Sequence, residues 1–129
     1  YWLPGQPDNH QNRESCTEAY IWNGGKWNDL NCNEKRACLC QDPRGMIEGP
    51  YVGVQAMRTY AEAREYCHAH YGTELATITS NTDNEHAKKL CDKLRLPHTT
   101  PHCWIGLQRP FEKWDDGSSA EEHFENWWP

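Results

Sequence analysis

Between Gln6 and Asp29 lie five oxygen-bearing side chains of the kind that bind hard cations: Gln6, Asp8, Glu14, Asn28 and Asp29. Calcium takes about six to eight oxygens from carboxylates, amides and carbonyls in flexible geometry. Three carboxylates and two amides therefore suit a calcium shell and leave room in it for an outside ligand. They occur in three short motifs, Gln6-Pro7-Asp8, Glu14-Ser15-Cys16 and Trp27-Asn28-Asp29, with Cys32 close behind. His98 and His102 have the four-residue spacing of a zinc pair, but Pro97 and Pro101 beside them favour a loop over a helix face. No Ser/His/Asp set, activated cysteine or phosphate-cradling glycine loop argues for an enzyme.

These residues must be positioned by short elements. Thr17 to Trp22 and Lys26 to Leu30 flank Asn23-Gly24-Gly25, a hairpin signal. Arg36 to Gln41 reads as a further strand, and Tyr51 to Val54 as another, rich in β-branched and aromatic residues. Thr59-x-x-Glu62 is a capping box, followed at helical spacing by Tyr60, Ala63, Cys67 and Tyr71. Thr82-x-x-Glu85 reads as a second box, opening a helix that ends before Pro97. Lys113 to Glu125 is a polar loop with turn signals at Asp115-Asp116-Gly117.

A chain of 129 residues fits one domain. Apolar residues make up only 36%, so the core is modest and leans on seven tryptophans and on staples. Seven cysteines point to disulfides and an oxidising, extracellular setting. A formal charge of −6 and the lack of a basic run argue against nucleic acid as a partner. No apolar run approaches a membrane span, nothing reads as a signal peptide, and there is no Asn-x-Ser/Thr acceptor for glycosylation. A secreted protein in its mature form is expected.

The three motifs and the cysteines resemble the carbohydrate-recognition domain of the C-type lectins. That resemblance implies an α+β fold of two helices, small antiparallel sheets and a long calcium-binding loop, with Cys103 to Leu107 resembling its central core strand. The order is unusual: residues 5–42 resemble the second half of the domain, 43–50 a Pro- and Gly-rich linker, and 51–129 the first half. Tyr1-Trp2-Leu3-Pro4 and Asn126-Trp127-Trp128-Pro129 both look like the segment that precedes the sugar-binding tripeptide, so the chain reads as a circular permutant opened in its long loop. Surface loops with neighbouring termini tolerate such opening.

By the same resemblance, Gln6, Asp8, Glu14, Asn28 and Asp29 bind one calcium ion, with the Gln6–Pro7 peptide in the cis form. Two adjacent sugar hydroxyls complete its shell, and Gln6, Asp8, Glu14 and Asn28 also bond to the sugar. Gln-Pro-Asp is the tripeptide that goes with galactose and N-acetylgalactosamine, whereas Glu-Pro-Asn goes with mannose. Galactose binders usually offer an aromatic ring two residues later, where this chain has His10; Trp2, Trp22 and Trp128 are other candidate platforms, and Trp27 and Trp104 are assigned to packing. A second calcium site is not implied, because Asn9, Ser15, Arg109 and Lys113 stand where mostly carboxylates belong.

Family position pairs Cys40 with Cys67 and Cys16 with Cys32. Cys38, Cys91 and Cys103 leave three outcomes open: a buried free thiol at Cys38, a third bridge Cys91–Cys103, or a cysteine linking two chains. The expected function is reversible binding of galactose-terminated glycans, with homo-oligomers supplying avidity. The main rival is a lectin-like module that recognises a protein or ice surface, and a second is a metal-assisted hydrolase using the His cluster.

Overall fold

The computed structural model describes residues 15–20, 26–44, 49–94, 102–108 and 113–118. Strands β1 (Cys16–Tyr20), β2 (Lys26–Leu30), β3 (Arg36–Gln41), β4 (Tyr51–Arg58) and β5 (His102–Gln108) form one sheet in the order β2-β1-β5-β3-β4. Neighbours run antiparallel except β3 and β5, which are parallel. Helices α1 (Tyr60–Tyr71) and α2 (Asn81–Lys93) connect β4 to β5. Two helices on a small mixed sheet make the fold α+β.

Strand alternation sorts the side chains onto two faces. One face carries Ala19, Trp27, Leu39 and Ile105 and packs with Ala87 and Cys91 of α2 and with Trp114. The other carries Cys16, Cys38, Cys40 and Trp104 and packs with Tyr60, Ala63 and Cys67 of α1. The sheet is thus covered on both sides, which explains why β3 reads as a continuous apolar run rather than an alternation.

Helix α1 starts where its capping box lies: Thr59 accepts from the Glu62 N–H, and the Glu62 carboxylate accepts from the Thr59 N–H. It ends on Gly72, whose φ of 67° is the left-handed conformation that glycine adopts without penalty. Helix α2 departs from the sequence expectation. Its cap is Ser80, not Thr82, with the Asp83 N–H donating to the Ser80 hydroxyl at 3.0 Å. Starting at Asn81 puts Asn84, Ala87 and Cys91 on the buried side of the helix.

Three disulfides join these elements: Cys16–Cys32, Cys40–Cys67 and Cys91–Cys103. The first closes the β2 hairpin onto the start of α1, whose Tyr60 N–H donates to the Cys32 carbonyl at 3.0 Å. The second ties α1 to β3, and the third ties α2 to β5. Cys38 is a free, buried thiol. Burial pushes its pKa up to about 12, with the Arg58 charge offsetting part of the effect.

Three strands differ from the expected bounds where the described residues allow comparison, and Ile21 and Trp22 of the first lie outside those residues. β1 runs from Cys16 to Tyr20, β4 continues to Arg58, and β5 starts at His102. Among its described residues, the expected loop from Lys113 to Glu125 includes a core residue, Trp114, which is 2% exposed and makes an isolated bridge with Leu107. Trp114 meets Trp27 edge-to-face at 5.4 Å.

Candidate functional site

Of the expected calcium and sugar residues, Asn28 and Asp29 belong to the described structure. Gln6, Asp8, His10 and Glu14 lie outside the described residues, as do Trp2, Trp22 and Trp128. His98 of the considered zinc pair also lies outside them, and His102 is a strand residue on β5 bonded to a carboxylate.

Asn28 and Asp29 are consecutive on β2, an edge of the described sheet. Their side chains therefore leave on opposite faces. Asp29 is fully buried and stands across from Thr17, while Asn28 is half-buried and stands across from Glu18. Trp27, one residue earlier, anchors this strand in the core and donates its indole N–H to Asn84 of α2 at 3.1 Å.

The Asn28 carboxamide is held by its nitrogen. Nδ2 donates to Glu18 Oε2 at 2.9 Å, so the oxygen end faces away from that carboxylate. Glu18 is 1% exposed and accepts also from Arg36 Nε at 3.1 Å. His102 Nδ1 lies 2.7 Å from Glu18 Oε1. Burial alone would raise the Glu18 pKa; bonds from His102 and Asn28 and the Arg36 charge outweigh it and hold the carboxyl below its usual value. The sequence reading missed Glu18 and Arg36 and weighed His102 only as half of a zinc pair; the three lie on three different strands.

An oxygen from Asn28 and a carboxylate from Asp29 are the hard donors that calcium requires. The chemistry of the described part of the set therefore fits the ion.

A second polar network joins the other end of the sheet to α1. Arg64 pairs with Glu74 at 2.8 Å, His68 lies 2.8 Å from the same carboxylate, and Tyr60 donates to Asp115 at 2.6 Å. Asp116 accepts from the Thr77 hydroxyl at 3.0 Å. These bonds fix the turn at 115–117 against the helix and suit structure better than catalysis.

The C-type lectin domain ("Lectin C-type domain") matches residues 56–129, more than half of the sequence. The chain belongs to the C-type lectin family. It is 55% identical over 102 residues to E-selectin of the horse, a stretch covering 70% of this chain and 16% of that protein. Over 42 residues it is 50% identical to dog E-selectin and 45% identical to human E-selectin, in each case covering 30% of this chain and 7% of the relative. The lectin chain thus spans a small part of the length of these relatives. No solved structure gives a significant match. Domains of this family are non-enzymatic carbohydrate binders that generally take calcium. Among the described residues no helix is long and apolar enough to cross a membrane.

Proposed function

We infer that this lectin domain binds the terminal sugar of a glycan through one calcium ion held by Gln6, Asp8, Glu14, Asn28 and Asp29, and that it prefers galactose or N-acetylgalactosamine. The observation that carries the reading is the intact five-residue ligand set in a chain of this family. Support comes from the placement of Asn28 and Asp29 on consecutive positions of β2, a strand braced by Cys16–Cys32. The galactose preference rests on Gln6-Pro7-Asp8 alone. Sugar hydroxyls bridging calcium and charged oxygens form charge-assisted hydrogen bonds, the stronger kind. His10, Trp2, Trp22 and Trp128 are the rings that could cover the sugar's apolar face.

The permuted order of halves, 51–129 before 5–42 in the family sense, belongs to the same reading. Its supports are a family match confined to 56–129 and the antiparallel pairing of β3 with β4 across the 43–50 linker. A rearranged chain, 51–129 followed by 5–42, is expected to form the same three disulfides and to bind calcium equally well.

Titration calorimetry with calcium tests the ligand set. The wild-type chain is expected to bind one ion, and Asp29→Ala and Asn28→Ala to weaken binding at least tenfold. Calcium affinity unchanged by both substitutions would remove these residues from the site. Calcium binding without retention on any sugar would favour recognition of a protein or ice surface. Avidity through homo-oligomers is read by gel filtration, where a species heavier than the 15.1 kDa chain is expected.

A further inference from the structure

Glu18 has no place in the calcium ligand set, yet it is among the most buried polar side chains described. A lone buried carboxylate is costly and persists only when paired and hydrogen-bonded. Here three groups from three strands converge on it: Asn28 Nδ2 at 2.9 Å from β2, Arg36 Nε at 3.1 Å from β3 and His102 Nδ1 at 2.7 Å from β5.

The chemistry of these partners has one consequence for Asn28. An ionised carboxylate only accepts, and arginine only donates. A carboxamide has a donating and an accepting end of nearly equal shape, and only the donating end can bond to Glu18. The oxygen of Asn28 is thereby turned away from the carboxylate, and a second N–H remains on Nδ2. A flipped amide would present N–H groups where a hard cation needs oxygen.

We propose that Glu18, clamped by Arg36 and His102, is a positioning residue that holds the Asn28 carboxamide by its nitrogen and leaves its oxygen as the end offered to calcium. The inference rests on the reading of Asn28 as a ligand. It extends that reading to a strand residue outside the three sequence motifs.

The test compares calcium affinity, by calorimetry on the full chain, for wild type, Glu18→Gln and Glu18→Gln/Asn28→Asp. The amide introduced by Glu18→Gln keeps its oxygen on Arg36 and offers its NH2 to Asn28, which then turns its own nitrogen to the site. Affinity is expected to fall about tenfold or more in Glu18→Gln, as loss of an orienting partner usually costs. In the double variant, the side chain at position 28 has oxygen at both ends, so its orientation no longer matters. Affinity is expected to return to within a few-fold of wild type. An unchanged Glu18→Gln, or a double variant as weak as the single, overturns the proposal and leaves Glu18 a purely structural group.

If the wild-type chain binds no calcium, the functional reading fails, and the orientation is then read without metal. The Asn28 side-chain NH2 signals in a nitrogen-15 NMR spectrum are expected to be split and protected from solvent exchange in wild type, and to lose that protection in Glu18→Gln. Unprotected signals in wild type overturn the orientation itself.

Discussion

Trp27 and Asn84 are bonded at 3.1 Å although 57 residues separate them in sequence. The bond links the strand that carries Asn28 and Asp29 to the buried side of α2. Packing on one side and Trp114 on the other leave Trp27 fully buried. Asn84→Ala removes a buried partner and its packing, a loss of about 1–3 kcal/mol. Urea unfolding should show an earlier midpoint with the slope unchanged; an unaltered midpoint would contradict the link.

Gly106 in Trp104-Ile105-Gly106-Leu107 is a close-approach position. An added Cβ would lie 2.7 Å from the Leu75 carbonyl oxygen and 3.1 Å from that of Ala76, and both belong to backbone bonded to this sheet. Backbone cannot swing aside as a flexible side chain can. Gly106→Ala is expected to destabilise by about 1–3 kcal/mol, read as a lower thermal midpoint. A midpoint equal to wild type would mean the segment at 75–76 moves freely.

The Cys38 thiol sits in the core with its pKa pushed up to about 12 by burial. Thiolate is the reactive form. In native protein at pH 8, iodoacetamide is expected to leave Cys38 unmodified, and in guanidinium to label one cysteine per chain. Rapid labelling of native protein would show that this part of the core opens.

Four described carboxyls, Glu18, Asp42, Glu62 and Glu74, are held below their ordinary values and carry a pH dependence. Burial tends to raise both Glu18 and Glu74, but His102, Asn28 and Arg36 at Glu18, and Arg64 and His68 at Glu74, hold each below the ordinary 4.5. A group whose pKa is depressed in the folded state adds stability above its unfolded pKa and loses it as pH falls through the folded value. Stability should therefore be level from pH 6 to 5 and fall below about pH 4.5, with Glu74→Gln flattening part of the fall. Stability that rose on acidification in this range would contradict the pairings.

The sequence carried the elements better than the contacts between them. The capping box at Thr59 is a local signal, and local signals place helices well. The cap at Ser80 was hidden because Thr82-x-x-Glu85 gives the same local pattern two residues later, and only the burial of Asn84, Ala87 and Cys91 decides between them. Trp114 falls among turn residues, and nothing local distinguishes it from a loop aromatic; its burial comes from a bridge to Leu107.

Glu18 was invisible for a reason of register. A turn centred on Gly24 would set Tyr20 opposite Asn28, whereas the hairpin pairs Glu18 with Asn28. A shift of this kind keeps every face and changes every partner. Arg36 and His102 reach the same carboxylate from strands remote in sequence, so their convergence could be seen only in the fold.

The central claim is calcium-dependent recognition of galactose, and retention on immobilised sugar tests it most directly. The protein is passed over galactose and mannose columns in calcium and then eluted with EDTA. The account predicts retention on galactose, release by EDTA and passage through mannose. Retention on mannose alone, or retention on galactose that survives EDTA, would contradict it.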